Sequence, residues 1–430
     1  MEKFDVIVMG GGPGGSSTAT FLAQKGYRVL LLERERFPRF HIGESLLPAG
    51  WELWGKLGVL PELDAAGFTI KQGVNFRMFG APTDLILLTA EYPQYFPRPY
   101  AFHVERAKFD AILLNNARKH GVDAREEWTA KDVLLEGDRA SGVLAGPNGK
   151  KAKPIYAPIV VDATGRSCLL ARKLGHCRPD PGLNKISHFS HFQGAWRRLN
   201  DEGGTMTDIH TTEEGWIWYI PLSDDIVSVG VVLDARAVGP QKGPQARFDY
   251  AISKCQTIRD WLGSAKQTME MQTISSICYL NDNFVGNGFV MVGDASMFVD
   301  PIFSAGVTLA IRGGMFAADA IDDAFETGDF SAERLAVYEQ RIRRPMDRIF
   351  KMIYNWYEIL QKKDADNIFF RSRKIPLLRE RLIVLLSGGY DKVDLEAILQ
   401  AAQHQGGTEA VAEVRGQSAE DELISKENHR

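Results

Sequence analysis

The segment Phe4-Asp5-Val6-Ile7-Val8-Met9-Gly10-Gly11-Gly12-Pro13-Gly14-Gly15 decides the fold. Its apolar half reads as a buried strand. The glycines lead into a helix pattern over Ser16–Lys25 that Gly26 stops, and Arg28–Leu32 reads as a second buried strand. The result is one βαβ unit. The spacing Gly10-x-Gly12-x-x-Gly15 is the dinucleotide fingerprint: the first glycine makes the turn, the second lets the backbone approach a pyrophosphate, and the third lets helix and strand pack closely. Pyrophosphate charge is then expected on the helix N-terminus, at Gly12, Pro13, Gly14, Gly15 and Ser16, where free amides and the macrodipole favour it. Glu33 ends the second strand, 21 residues after Gly12. Its carboxylate is placed to accept from ribose hydroxyls, so an unphosphorylated ribose is expected.

Two later stretches favour a flavin over a nicotinamide dinucleotide. Ile159-Val160-Val161-Asp162-Ala163-Thr164-Gly165-Arg166 reads as a buried strand ending in a turn. Gly288-Phe289-Val290-Met291-Val292-Gly293-Asp294-Ala295 reads as another, ending in Gly-Asp before a helix. The Asp294 carboxylate suits a ribityl hydroxyl, with the amides after Gly293 near an isoalloxazine ring. Either stretch alone is also what a core strand with an ordinary turn looks like. Their order behind a fingerprint makes the difference.

The expected fold is α/β: a Rossmann-like FAD-binding domain with an inserted antiparallel sheet and a helical C-terminal region. Residues 1–70, 100–185 and 281–330 form the first part. Residues 71–99 and 186–280 alternate apolar with polar and read as the substrate-side sheet. Over 331–403 the pattern is helical: Ile342, Met346, Ile349, Ile353, Tyr357 and Leu360 recur at helical spacing, with Pro345 expected near the helix start. Residues 404–430 are polar and aperiodic and read as a mobile tail.

Composition narrows the function. With 44% hydrophobic and 25% charged residues the chain can build a large core, which excludes disordered and collagen-like classes. A net charge of −4 argues against nucleic acid as a partner. No apolar run reaches the roughly 18 residues of a membrane span, and no leader pattern precedes the first strand. A cytoplasmic enzyme is expected. The four cysteines form no CxxC pair, which suits a reducing compartment. No metal is expected: His188 and His191 lack a carboxylate or cysteine partner in sequence and read as packing or pocket residues. Glu213 and Glu214 read as turn charges.

Further motifs carry a family resemblance. They are His41-Ile42-Gly43-Glu44-Ser45, Val104-Glu105-Arg106-Ala107-Lys108-Phe109-Asp110, Gly215-Trp216-Ile217-Trp218-Tyr219-Ile220-Pro221, and Gly293-Asp294-Ala295 through Asp300-Pro301-Ile302-Phe303-Ser304-Ala305-Gly306. With the fingerprint, they make the chain resemble the flavin-dependent halogenases, a branch of the aromatic-hydroxylase-like flavoproteins, from the first strand to about residue 390. The sharpest is Trp-x-Trp-x-Ile-Pro. At period two, Trp216, Trp218 and Ile220 share one strand face. A well-packed core strand would look the same. In the family, these residues with Pro221 shield the flavin, so that a small anion reaches it and an aromatic substrate does not.

The resemblance implies halogenation, chlorination above bromination, of an electron-rich aromatic such as a pyrrole or phenol. Reduced FAD activates O2, a halide seated near Ala305 and Gly306 is oxidised to hypohalous acid, and the acid travels to Lys71 beside the substrate. It also implies flavin contacts at Arg39, Ser45, Arg106, Pro301, Gly306 and Val307. Lys71 would act as a neutral amine forming a chloramine, or as an ammonium polarising the acid; without the resemblance it reads as a surface lysine. Phe303 stands where tryptophan-directed members carry Glu, which favours the pyrrole- and phenol-directed class. With one dinucleotide fingerprint in the chain, FAD is expected to arrive reduced from a separate NAD(P)H-flavin reductase. Flavin monooxygenases and prenyl-chain reductases share the fold and FAD motifs and are the alternative. Residues 341–381 carry net charge +7, leaving −11 for the rest. That stripe, including Arg371, Arg373 and Lys374, suits an acidic acyl or peptidyl carrier protein, or is a solvated face neutralised elsewhere.

Overall fold

A computed structural model describes residues 3–78, 84–197, 204–236, 241–275, 277–364, 366–396 and 398. The expected tail at 404–430 lies outside them. Val6–Met9 is a fully buried strand at the centre of a six-stranded sheet, paired in parallel with Val29–Leu32 on one side and Ile159–Asp162 on the other. The order runs Val285–Gly286, Phe289–Met291, Ile159–Asp162, Val6–Met9, Val29–Leu32, Asp123–Arg125. Strands buried on both faces need continuous apolar runs, and the two stretches ending in Asp162 and Gly293 supply them.

The fingerprint helix spans Pro13–Gln24. Gly10 takes φ +104°, and a Cβ there would lie 2.3 Å from the Ala163 carbonyl oxygen. At Gly15 it would lie 1.9 Å from the Gly10 oxygen. The turn and the close packing therefore both need glycine. The helix rests on a second one, Gly306–Thr327, where Gly314 clears the way for Thr18.

The substrate-side sheet has nine strands, with Lys185–Gln193, Ile226–Asp234, Gly215–Pro221, Thr205–Thr211 and Thr69–Arg77 in sequence across it. Pairing is antiparallel except between Thr205–Thr211 and Thr69–Arg77. Two expectations need correction. Residues 186–280 are not all sheet: helices Pro244–Ser253 and Gln256–Leu262 cover its outer face, burying Phe248 and Ile258 against Ile217 and Tyr219. Ala101–His103 also joins the sheet, beside Thr69–Lys71, beyond the expected limit at residue 99.

The long amphipathic helix exists, but it spans Ala332–Lys362, so Pro345 lies inside it. Ser331 caps it, its hydroxyl accepting from the Arg334 amide. A proline costs a helix one internal hydrogen bond, and the stripe Leu335, Tyr338, Ile342, Met346, Ile349 and Ile353 stays buried through it. No helix among the described residues is long and apolar enough to cross a membrane.

The sheet face that carries Trp216, Trp218 and Ile220 belongs to the main core, whereas Ile217 and Tyr219 face the covering helices. Trp218 fits only because its cross-strand partner is Gly230, where a Cβ would fall 2.2 Å from the indole. Gly230→Ala should overpack this site and cost about 1–3 kcal/mol. A melting temperature several degrees lower in calorimetry is the expected result, and an unchanged one would show that the indole has room to move.

Candidate functional site

A cavity of about 470 Å³ opens along the carboxyl ends of the central strands, between the two sheets. Gly10, Gly12, Pro13, Gly14 and Glu33 line one end of it, and Trp216, Trp218, Ile220, Pro301, Gly306 and Val307 the other. Arg39, Ser45, Arg106, Gly293 and Asp294 also line it. Gly15 and Ser16 do not: they lie beneath the lining, Ser16 donating from its hydroxyl to the Gly11 carbonyl at 2.7 Å. Pro221 is likewise behind the wall, its carbonyl 3.0 Å from His103 Nδ1. Ala305 is buried and is absent from the lining, so of the two expected halide residues only Gly306 faces the space.

The nucleotide end is built for a dinucleotide. Glu33 accepts from the Gly11 amide at 2.7 Å and from the Glu35 amide at 2.8 Å, which fixes its carboxylate at the strand end. A Cβ at Gly12 would meet only Arg39, 3.6 Å away, so backbone there is open to a pyrophosphate. Arg39 and Arg106 share Asp110, at 3.0 Å and 2.7 Å. Burial alone would raise that carboxyl, but the guanidinium of Arg106 and then that of Arg39 hold it below its ordinary value. Arg106 also donates to the Ile42 carbonyl at 2.6 Å, pinning the loop before Ser45. Glu44 keeps one buried carboxylate oxygen without a partner while the other meets His191 Nε2 at 2.6 Å. An orphaned acceptor, open glycine backbone and an apolar far end fit a flavin dinucleotide.

Lys71 is not on the surface. It sits on Thr69–Arg77, 6% exposed, donating to the Leu46 carbonyl at 2.9 Å. Burial pushes its amine down to about 7. It opens into a second space of about 30 Å³, lined among others by Leu47, Val74, Phe76, Thr89, Phe303, Ile383, Leu386 and Ser387. Among the described lining residues Lys71 alone is ionisable. Ile302 and Ser304 line both spaces, so they form the partition between them. Sequence reasoning missed this pair; the signal available was their position on either side of Phe303, just before the helix that begins at Gly306.

A buried polar chain borders the same wall. Ser45 Oγ lies 2.8 Å from Thr207 Oγ1, which lies 3.0 Å from His103 Nε2. Burial, and then the charge of Lys71, keep His103 well below its ordinary pKa, so the ring is neutral. His188 bonds Thr273 at 2.9 Å, and no described group of three His, Cys, Asp or Glu could hold a metal. Glu213 pairs with Lys363 and Glu214 accepts from Tyr250.

The basic stripe is largely spent. Asp319, Glu396, Glu213 and Glu91 from outside residues 341–381 pair with Arg341, Lys351, Lys363 and Arg379. Arg343, Lys362 and Arg371 pair locally, and Arg373 donates to the Asp84 carbonyl.

Comparison with known proteins agrees with this geometry. The family model described as tryptophan halogenase matches residues 5–98 and 93–380. The 1H-pyrrole-2-carbonyl-[peptidyl-carrier protein] chlorinase of Pseudomonas fluorescens is 31% identical over 409 residues, 90% of this chain and 89% of that protein. The corresponding brominase of Pseudoalteromonas luteoviolacea is 30% identical, covering 90% of this chain and 92% of that one. Among solved structures, the myxobacterial chondrochloren halogenase CndH superposes with a TM-score of 0.79 at 35% identity, over 98% of both chains. The flavin-dependent brominase Bmp2 gives 0.83 at 28% identity, over 93% of this chain and 98% of that one. The chain belongs to the tryptophan halogenase family and is a flavin-dependent halogenase.

Proposed function

We propose that this halogenase acts on a pyrrole or phenol that reaches Lys71 without a charged group of its own, tethered to a carrier protein. FAD arrives reduced from a separate NAD(P)H-flavin reductase, chloride or bromide is the halide, and O2 is the co-substrate. One observation carries the reading: a buried lysine in a small, otherwise uncharged pocket, separated from the large cavity by Ile302 and Ser304. A free amino acid would bring two charges into a lining that offers one, and an unpaired buried charge costs several kcal/mol. A thioester-linked pyrrole brings none. The names of the two pyrrole-directed relatives, one a chlorinase and one a brominase, support the tethered ring and leave both halides in the reading.

When bound, FAD supplies the oxygen chemistry that oxidises the halide. The rest falls to the chain. Amides at Gly306 and Val307 open a 22-residue helix, and such a terminus favours an anion beside the apolar end of the cavity. Trp216, Trp218 and Ile220 fill the space an aromatic ring would need there. Lys71 receives the hypohalous acid beyond the partition. At about 7 its two forms coexist near neutrality. The ammonium donates a hydrogen bond that polarises the acid; the amine takes the halogen onto nitrogen. The ring loses a proton, gains the halogen, and hydroxide leaves as water.

Lys71→Met should abolish halogenated product by mass spectrometry while oxygen consumption persists. Its folding energetics give a second readout. The folded amine titrates at about 7, against an ordinary 10.5 when unfolded. Between these values Lys71 must shed a proton to fold, so wild-type stability rises with pH across that window. Lys71→Met should therefore be more stable than wild type at pH 7, by about 2–5 kcal/mol in denaturant unfolding, with the gain fading towards pH 10. A gain independent of pH would mean the amine is not buried.

The partner reading separates cleanly from these. Calorimetric titration should detect FAD and no binding of NADPH, and direct reduction of bound flavin by NADPH would remove the separate reductase. Given FADH2 and halide, a pyrrole-2-carbonyl thioester on its carrier should be turned over at least about tenfold faster than the free acid, whose carboxylate competes for Lys71. Because the basic stripe is mostly paired, that preference should survive added salt. Equal rates on both would point to a free aromatic.

A further inference from the structure

Trp216 and Trp218 are held in different ways. The Trp218 indole donates to Ser228 at 3.1 Å, within its own sheet. The Trp216 indole reaches out of the sheet to the Tyr357 hydroxyl on the long C-terminal helix, also at 3.1 Å, its one partner among the described residues. Tyr357 in turn donates to Asp300 Oδ2 at 2.6 Å. The other oxygen of that carboxyl, Oδ1, accepts from the Ile302 amide at 2.9 Å. Lys185, on strand Lys185–Gln193, lies 4.3 Å from the centre of the Tyr357 ring. One unbroken chain thus runs from the wall residue Trp216, through a helix side chain, to the partition residue Ile302.

We propose that Tyr357 and Asp300 are positioning residues that clamp the Trp216 wall to the Ile302–Ser304 partition, so that oxidising equivalents leave the large cavity only towards Lys71. This rests on the wall reading above. The clamp does no chemistry. It removes a degree of freedom: an indole with no hydrogen-bond partner can swing about its side-chain torsions, and a partition loop without its Asp300 contact can follow. Both shifts open a gap through which peroxide or hypohalous acid escapes to solvent.

The test is Tyr357→Phe in the full chain loaded with FADH2, mixed with oxygen and saturating bromide. The fraction of reducing equivalents released as hydrogen peroxide should rise by about fivefold, on the scale of one lost hydrogen bond. The ¹⁵N-indole resonance of Trp216, assigned by its loss in Trp216→Phe, should move more than that of any other tryptophan. FAD affinity should stay within about twofold, since a mutation acting through a single hydrogen bond at the wall leaves the nucleotide end untouched. Trp216→Phe should leak by itself, and the double variant should leak less than the sum of the two single variants, because both remove the same Trp216–Tyr357 hydrogen bond. If Trp216→Phe does not leak, the wall reading falls and the clamp with it. If it leaks and Tyr357→Phe does not, or if the double variant leaks additively, the clamp alone is overturned.

Discussion

A reactive halogen species must move from where it forms to where it is used without meeting water or bulk protein on the way. In this structure that constraint falls on one short segment. Ile302 and Ser304 border both cavities, and two residues later the chain enters the helix whose amides face the larger one. Ser304 holds a positive φ of 57°, an uncommon conformation for a residue with a side chain. Such strain persists only where the surroundings over-determine it. Here they do: Asp300 holds the Ile302 amide, the Pro301 carbonyl holds the Ser304 amide, and Phe303 packs against Trp356 and Phe369. The C-terminal helices are thus the support of the partition as well as a cover for the sheet.

The second constraint is the cost of keeping Lys71 dry. Stability is spent on it that a leucine would not demand, and the pocket returns little, since among the described residues a single carbonyl accepts from the amine. The return is chemical. An ordinary lysine is an ammonium at neutral pH; one that titrates at about 7 offers donor and nucleophile from the same atom. The neighbouring His103 is kept neutral by the same burial, so it adds no second charge to the site. The nucleotide end follows the opposite logic, with two arginines paid for by the fully buried Asp110.

The fold was legible wherever local chemistry leaves one choice. Gly10 and Gly15 stand where a side chain would collide with backbone, Glu33 ends a buried strand, and Trp216 and Trp218 alternate with Ile217 and Tyr219 at period two. Each of these is signalled by residue spacing within one motif, even where, as at Gly10, the backbone that a side chain would strike belongs to Ala163. What escaped depends on contacts between distant segments. The helices over 244–262 carry weak periodicity and are fixed by the sheet they cover. Pro345 looks like a helix start because its cost is local, while its tolerance comes from a buried stripe on either side. Ala305 fits a family pattern, yet it is buried and does not line the cavity. The basic stripe reads as +7 along the chain because the acids that neutralise it come from elsewhere.

The smaller cavity sets the last condition on function. A volume of about 30 Å³ holds little more than a water molecule, whereas enclosing a ring the size of benzene takes on the order of 150 Å³. A ring beside Lys71 must therefore displace part of the lining. The sheet side is fixed by its ladder, and Phe303 by its aromatic stack. The remaining side is Ile383, Leu386 and Ser387 at the end of helix Pro376–Leu386, facing Leu87 and Thr89. Its polar ties to that opposite edge are Thr89 to Ser387 at 3.0 Å, Arg379 to Glu91 at 2.6 Å and to the Ile86 carbonyl at 2.7 Å, Tyr95 to Glu380 at 2.5 Å, and Tyr92 to the Pro376 carbonyl at 3.5 Å, and its other face is buried through Leu378, Leu382 and Leu385. Of these only Arg379–Glu91 is an ion pair, and near the surface such a pair contributes about 0–1 kcal/mol. This helix is thus the side of the pocket held neither by a sheet ladder nor by an aromatic stack, and the chain turns at its end through Gly388, which holds φ +92°. That side lies away from the flavin cavity and from the partition at Ile302 and Ser304, so under the function proposed above a ring would reach Lys71 without crossing the partition.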